Sequence, residues 1–477
     1  MNFIADKQTL EDLNITGKYR AGSIFSLFNR VRTAGGERLL ERMFESPLTD
    51  AGEINRRSAV FRYFQQASLD FSFDAGQIAQ MSGYLEGFSG RSLVSAMLGH
   101  IRRLALAYVI KDTAYAALQD GTEATMGILS ACRELFGRLA ADEDSPYREE
   151  ILLARSIVGD KRFGWMGPMA GWEGGAAKEG SLKNRLSFFR FVRLDHLLRH
   201  GLRQQLEKLM TILYHLDVCV AVAKVAGEKG FTYATALPRQ ANLFYAEGLS
   251  HPVLPNAVGN TISFNEGSNL LFLTGANMAG KSTLMKSFGI ALYLAHMGFP
   301  VAAARMEFST KDGMFTSINV TDSLVQGYSH FYSEVLRVKK VAEEVSGSKE
   351  IVVIFDELFK GTNVKDAFDA TLAVTEAFCA YRTCFFMIST HIIEVGEALL
   401  GNCANIRFAR LGTMMEGTTP RYTYSLEEGI TADRHGMIII ENEGILHILA
   451  QEENEGHYRT HERPGSEKPS TDKSERI

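Results

Sequence analysis

The stretch Gly275-Ala276-Asn277-Met278-Ala279-Gly280-Lys281-Ser282 constrains this chain more than any other feature. An apolar run, Leu270 to Thr274, leads into it, and a helical pattern from Thr283 leads out. Strand, glycine-bounded turn and helix in that order make a phosphate cradle. The glycines let the backbone fold tightly and aim N–H groups at phosphate oxygens, and the helix N-terminus adds its positive end. In such a cradle Lys281 reaches the β and γ phosphates and the Ser282 hydroxyl ligates Mg²⁺.

Two further strand ends carry polar residues. Ile351-Val-Val-Ile-Phe355 is apolar and ends in Asp356-Glu357. Adjacent carboxylates at a buried strand end are costly without a cation to compensate them. In phosphate-loop ATPases the Asp holds the Mg²⁺ shell and a following Glu polarises the attacking water. A third run, Phe385-Phe-Met-Ile, ends in Ser389-Thr390-His391. At the carboxyl ends of parallel strands such residues face the ligand crevice, where His391 is placed to sense the γ-phosphate or position the water.

The rest of the chain divides around these motifs. Residues 1 to about 235 read as helix, with apolar residues at spacings of three and four, as in Leu93, Met97, Leu98, Ile101 and Leu104. Leu209 to Ala226 is a second such pattern, and Gly227 to Gly230 ends it. After Pro238 short apolar runs alternate with helical patterns, the mark of a parallel sheet covered by helices. The segment 157–181 is rich in glycine and holds both tryptophans, which reads as a flexible loop or a shortened insertion between helices. A cationic stretch with Lys178, Lys183, Arg185, Arg190, Arg193, Arg199 and Arg203 is interleaved with Phe188, Phe189 and Phe191. It offers contacts to phosphates, and a solvated helix face is the favoured alternative. From Gln451 onward almost nothing is apolar, and a disordered tail is expected.

Composition excludes several classes. At 477 residues, 45% hydrophobic and 22% charged, this is globular material for two to four domains. A net charge of -5 gives no overall basic field, so nucleic acid would have to meet a local patch. The five cysteines form no metal-spaced cluster and suggest reduced thiols. Residues 1–10 lack the apolar core of a signal peptide. The charge-free run between Lys286 and Arg305 reads as a buried helix, a turn and a buried strand, not a membrane span. A cytoplasmic protein is expected.

These motifs resemble the MutS family of DNA mismatch-repair ATPases. Thr274-Gly-Ala-Asn277-Met278-Ala-Gly-Lys-Ser-Thr283 is similar to that family's phosphate loop, Phe355-Asp-Glu-Leu-Phe-Lys-Gly361-Thr362-Asn363 to its acidic segment, and Ser389-Thr390-His391 to its switch. Asp322 to Glu334, with Gly327, Ser329, Phe331 and Glu334, resembles the loop that crosses the family's dimer and sets Ser against the partner's γ-phosphate. Upstream, Gly22-Ser23, Thr33-Ala-Gly-Gly-Glu-Arg38-Leu39-Leu40, Pro47-Leu48, Glu53-Ile54 and Arg57 look like the start of its core (lever) domain. Tyr214-His-Leu-Asp217 and Ala221-Val-Ala223 look like the last helix before its ATPase. The likeness runs from about residue 15 to 445.

The chain also departs from the family. No mismatch-reading or connector domain is expected before Gly22, and the Phe-x-Glu mismatch wedge has no counterpart. The interval between core helices is too short for a full DNA clamp, with 157–181 at that position. His330 stands in place of Thr, Phe359-Lys360 in place of Gly-Arg, and Ala257 near the place of an aromatic that stacks on adenine. The terminal helix-turn-helix is expected to be curtailed between Thr431 and Leu449, with no Smr nuclease domain expected after it.

The resemblance implies a helical core/lever domain at 1–235, with a clamp reduced or absent near 157–181, then a phosphate-loop, ABC-like α/β ATPase domain with a mostly parallel sheet at 236–450, and a tail at 451–477. It implies ATP and Mg²⁺ as ligands of residues 275–283, with Ser282 and Asp356 on the metal and Glu357 and His391 as catalytic residues. Ser329 and His330 would reach across a homodimer, and the levers would open or close on DNA. Two alternatives stay open: the same ATPase acting on branched DNA, a ribosome or a protein partner, and a nucleotide-gated scaffold that does not hydrolyse.

Overall fold

A computed structural model describes residues 3–17, 22–87, 92–110, 113–163, 186–276, 278–318, 330–416 and 419–431, with 440, 443–445, 448 and 449. The chain opens with strand β1 (Ile4–Ala5) and helix α1 (Lys7–Asp12). Helices α2 (Ile24–Phe28), α3 (Ala34–Glu45), α4 (Ala51–Ala67), α5 (Ala75–Glu86), α6 (Leu93–Ile110), α7 (Ala114–Arg138), α8 (Arg148–Val158), α9 (Phe188–His196) and α10 (Arg203–Lys229) follow. Next come β2 (Thr232–Tyr233), β3 (Thr235–Leu237), β4 (Phe244–Leu249), β5 (Asn260–Phe264), β6 (Leu270–Thr274), α11 (Lys281–His296), β7 (Pro300–Val301), β8 (Arg305–Ser309) and β9 (Gly313–Ser317). The remainder is α12 (His330–Ser346), β10 (Ile351–Phe355), α13 (Val364–Phe378), β11 (Phe385–Ser389), α14 (Ile393–Leu399), β12 (Ile406–Glu416) and β13 (Thr419–Glu428).

Local chemistry sets the helix ends. Ser23, Thr33, Asp50 and Asp74 each precede a helix, and their side chains accept the N–H three residues on. Gly230, at φ +67, supplies the left-handed turn that stops α10. That helix is apolar and long enough to cross a bilayer, yet 78% of its most apolar window is buried inside the protein. Leu206, Leu209, Leu213, Leu216, Val222 and Val225 are buried along it, which makes it the central post of the helical part.

The main sheet has the order β1-β9-β10-β11-β6-β12-β13. All neighbours are parallel except the β12–β13 hairpin. Strands β6, β9, β10 and β11 are buried along their whole length, which explains their unbroken apolar runs. A four-stranded sheet, β3-β8-β4-β5, and the β2–β7 pair stand beside it. Strand β1 lies inside the stretch expected to be helical, and it joins the edge of the main sheet through Ile4 opposite Gly313. Arg337 in α12 fastens it there by pairing with Asp6 and donating to the carbonyl of Thr316. Asp12 accepts from Thr316 Oγ1 at 2.7 Å and from the Ile318 amide at 2.9 Å.

The far end of α11 docks onto the helical part. The Tyr293 hydroxyl donates to the Phe44 carbonyl at 2.6 Å, and Arg57 and Ser58 donate to the carbonyls of Met297 and Gly298, both at 3.1 Å. Asn55 exchanges two hydrogen bonds with Ala236, at 2.8 and 2.9 Å. One apolar cluster runs through both parts. The run after Lys286 is the expected buried helix, turn and strand, since α11 and β7 are buried nearly throughout. The pattern at Leu93–Leu104 forms the expected helix, α6, with the apolar side turned outward. Leu93, Leu98 and Ile101 are exposed, and Ala96 and His100 face the interior instead. The reason is polar: His100 is drawn in by the buried carboxylate of Asp195, 2.9 Å from its Nε2. Most of 157–181 and all of 451–477 lie outside the described residues.

Candidate functional site

The register of the main sheet brings its carboxyl ends level. Phe355 stands opposite Ser317 on one side and Ile388 on the other, and Ile388 stands opposite Phe272. The segments that follow β6, β10 and β11 therefore converge on one edge, the place where open parallel sheets bind ligands.

After β6 the chain turns through Gly275 at φ +150, Met278 at φ +70 and Gly280 at φ +99. A side chain at Gly280 would be strained at φ +99, and its Cβ would press on the ring of Tyr424 at 3.0 Å. Helix α11 starts at once with Lys281, which is buried, and Ser282 and Thr283, which are exposed. The Lys281 ammonium donates to the carbonyls of Gly275 at 2.8 Å and Ala276 at 3.1 Å. Burial lowers its pKa, while the charges of Asp356 and Glu357 pull the other way. Asn277 lies outside the described residues, while Ala279 is buried in the turn.

The acidic end is built around Ser389. Its hydroxyl donates to Asp356 Oδ1. Its Oγ and its carbonyl oxygen both accept the Glu357 amide, at 3.2 and 3.1 Å. These bonds hold Glu357 at φ +57, a conformation that costs a non-glycine residue on the order of 1–3 kcal/mol. Glu357 Oε1 accepts a hydrogen bond from His391 Nε2, and Lys360 stands 3.9 Å from Oε2. The His391 hydrogen bond lowers the Glu357 pKa against the opposing effect of burial. The Glu357 side chain is therefore a carboxylate held in one orientation, with its pKa below the ordinary value. Phe359 is also left-handed, at φ +59.

Beside the turn lies a cavity of about 430 Å³, lined by His251, Leu254, Ala257, Met278 and Tyr424 among others. Tyr424 comes from β13 at φ +57. Asn260 of β5 holds that strand in place, donating to the Tyr424 carbonyl at 3.0 Å and accepting from the Leu426 amide at 2.7 Å. Burial, and then the charge of Lys286, lower the His251 pKa. Ala257, near the position expected to carry a base-stacking aromatic, lines this cavity, and so does the aromatic ring of Tyr424. No motif marks Tyr424, which arrives through a hairpin far along the chain. Ser389 belongs to the switch triplet, but its bonds to Asp356 and Glu357 depend on the neighbouring strand and have no motif of their own.

The structure thus brings together Gly275, Ala276, Met278, Ala279, Gly280, Lys281, Ser282 and Thr283 with Asp356, Glu357 and His391. Ser329 and the side chain of His330 lie outside the described residues. Among the described residues no group of three or more His, Cys, Asp or Glu is arranged to hold a metal by itself. The ring of amides and the ammonium suit an anion, and the Ser282 hydroxyl and the two carboxylates suit a divalent cation accompanying it. In the cationic stretch, Arg199 is buried in an ion pair with Asp195 and Phe191 is core, whereas Phe189, Arg190 and Arg193 are exposed. Lys178, Lys183 and Arg185 fall outside the described residues.

Two family models match this chain: MutS domain III over residues 8–223 and MutS domain V over residues 271–456. Together they take in most of its length. The DNA mismatch repair protein MutS of Leuconostoc mesenteroides is 23% identical over 93% of the chain and 61% of its own length. The MutS protein of Shouchella clausii is 27% identical over 50% of the chain and 28% of its own length. The DNA mismatch repair protein msh-2 of Neurospora crassa is 28% identical over 45% of the chain and 23% of its own length. The chain thus matches less than two thirds of each of these curated relatives.

Proposed function

The chain belongs to the MutS family, and on that premise we propose that it is an ATPase whose nucleotide state sets the posture of its helical part on DNA. One observation carries this reading: a buried lysine inside a glycine-bounded turn shares a sheet edge with an ionised, histidine-paired glutamate. In this reading residues 1–235 act chiefly as the lever and 236–450 as the ATPase, with β1 lent to the ATPase sheet.

ATP lies along the turn, its base in the cavity beneath Tyr424 and its phosphates on the 275–283 segment. Lys281 exchanges its two carbonyl partners for phosphate oxygens, so binding replaces hydrogen bonds and leaves no buried donor unmet. The donors fit Mg²⁺, because Ser282 and Asp356 are hard oxygen ligands and Ser389 fixes the carboxylate's orientation. Mg²⁺ held there would neutralise charge on the β and γ phosphates. Glu357 takes the proton of the attacking water, with His391 holding its carboxylate in place. By family resemblance, Ser329 and His330 reach the nucleotide of a second copy in a homodimer.

Helix α11 is the mechanical link. Its 16 residues span about 24 Å, from the phosphate turn to the docking contacts with α3 and α4. In this reading movement at Lys281 reaches the helical part through this one continuous helix.

The test is the ATPase rate with duplex, mismatched, branched and single-stranded DNA at two salt concentrations, since phosphate contacts weaken with salt. Stimulation by one DNA structure supports the reading and names its ligand. Hydrolysis indifferent to every DNA keeps the ATPase and moves the ligand to a ribosome or a protein partner. Absence of hydrolysis leaves a nucleotide-gated scaffold.

A further inference from the structure

At the amino-terminal edge of the main sheet, opposite the nucleotide edge, the fold brings two cysteines together. Cys379 caps the carboxyl end of α13. Cys403 sits in the turn before β12. Two side chains tie that turn along the last turn of α13: Asn402 Nδ2 donates to Glu376 Oε1 at 2.5 Å, and Asn405 Nδ2 donates to the Cys379 carbonyl at 2.9 Å. They bracket Cys403 and hold it beside Cys379, close enough for its thiol to raise the Cys379 pKa. Cys379 is buried, at 6% exposure, and Cys403 is partly open to solvent. Both are free thiols. The nearby Cys384 thiol is engaged elsewhere, donating to the Lys349 carbonyl at 3.3 Å.

We propose that Cys379 and Cys403 are a modification site, forming a reversible disulfide when the protein meets a hydroperoxide. The more exposed Cys403 sulfur attacks the peroxide O–O bond, becoming a sulfenic acid as one alcohol or water leaves. The Cys379 sulfur then attacks the Cys403 sulfur, the S–S bond forms, and water departs with the sulfenic oxygen and the thiol proton. Two thiols and one hydroperoxide become one disulfide, one alcohol and one water. A dithiol reverses the reaction by exchange. Burial, and then the neighbouring Cys403 thiol, raise the Cys379 pKa, which disfavours it as the first nucleophile and slows, without preventing, its attack on the sulfenic sulfur.

The crosslink joins the end of α13 to the start of β12 and leaves the nucleotide edge untouched, about 16 Å away along a five-residue strand. The test exposes the full chain to hydrogen peroxide, alkylates it, and maps its peptides without reduction. The expected result is a peptide pair joined through Cys379 and Cys403, two of the five thiols lost, and both regained with dithiothreitol. In Cys403→Ser, Cys379 should stay alkylatable after the same treatment, and Cys379→Ala should trap Cys403 as a sulfenic acid that dimedone labels. Five thiols still titratable in peroxide-treated protein would overturn the proposal. So would Cys403 oxidised to the sulfinic acid with Cys379 still free.

Discussion

Glu357 and His391 are 34 residues apart in the chain and share a hydrogen bond between Oε1 and Nε2 across the ends of adjacent strands. The bond keeps the carboxylate ionised and aimed along the nucleotide edge. General-base contributions are worth roughly 10²- to 10⁴-fold in rate. Glu357→Gln should therefore lower phosphate release at least about 100-fold while leaving nucleotide affinity within a factor of a few. Undiminished turnover would remove Glu357 from the role of base. His391→Ala should act through the same carboxylate. The wild-type His391 bond lowers the Glu357 pKa, and a base works only when deprotonated. Rate is thus lost as pH falls through that pKa. Without His391 the pKa rises, so the acid limb of the rate profile should move to higher pH.

Tyr424 and Gly280 face each other, since a Cβ on the glycine would meet the ring at 3.0 Å. The ring forms one wall of the cavity that opens beside the turn. Stacking of a base on an aromatic ring is worth about 1–3 kcal/mol. Tyr424→Ala should weaken nucleotide binding by roughly ten-fold or more, and Tyr424→Phe should restore it. A fluorescent nucleotide titration separates the two. Equal affinity in wild type and alanine variant would place the base elsewhere.

The nucleotide edge was legible in the sequence because its parts are local. Strands β6, β10 and β11 are single buried runs, and each functional group follows directly at the strand's end, so a short window contains both the strand and its chemistry. Tyr424 and the Asp6–Arg337 pair were not legible, because they depend on which distant segments the fold places side by side. Arg337 and Asp6 are separated by 331 positions, and neither belongs to a motif. The outward apolar face of α6 was hidden for a related reason. A three-and-four spacing identifies a helix but does not say which side meets the interior. Here the side is chosen by His100 and the Asp195 carboxylate, to which Arg199 and Tyr84 also donate.

Two buried histidines make the fold acid-sensitive. Burial lowers His215 to about 4, with the charge of Arg57 adding to the effect. Burial also lowers His296 to about 4, with Lys311 adding to it, and with its Leu48 hydrogen bond and Asp312 opposing. Both are neutral when folded and take up a proton on unfolding. Their contribution is fully present above pH 6.5, the ordinary histidine value, and is lost as pH falls from there toward 4. At 1.36 kcal/mol per unit, each histidine accounts for about 3 kcal/mol over that window. Urea midpoints should stay level from pH 7.5 to about 6.5 and fall from there to pH 4.5, and His215→Gln should flatten that fall. A midpoint constant from pH 6.5 to 4.5 would contradict the neutral-buried state of both.

Asp217 and the pair Gly35-Gly36 join two distant stretches of the helical part, α10 and the start of α3. Asp217, on α10, is buried and accepts the amides of Arg32 at 3.0 Å and Thr33 at 2.8 Å, and the Thr33 hydroxyl at 2.7 Å. It thereby anchors the N-terminus of α3 to the central helix. The approach is so close that a Cβ at Gly36 would stand 2.5 Å from Asp217 Oδ2, and one at Gly35 2.3 Å from the Tyr214 ring. Asp217→Ala strands buried donors and should cost about 3 kcal/mol. Gly36→Ala drives a methyl group into the carboxylate and should cost a similar amount, about 2–3 kcal/mol. The two losses are not independent. With Asp217 already removed, the closest contact of the Gly36→Ala methyl group is gone and only Thr33 Oγ1, at 2.9 Å and no longer held by the carboxylate, has to give, so the double variant should be more stable than the sum of the single losses by about 1 kcal/mol. Urea unfolding of the four proteins gives that coupling directly. Strict additivity would mean that α3 is not positioned by Asp217.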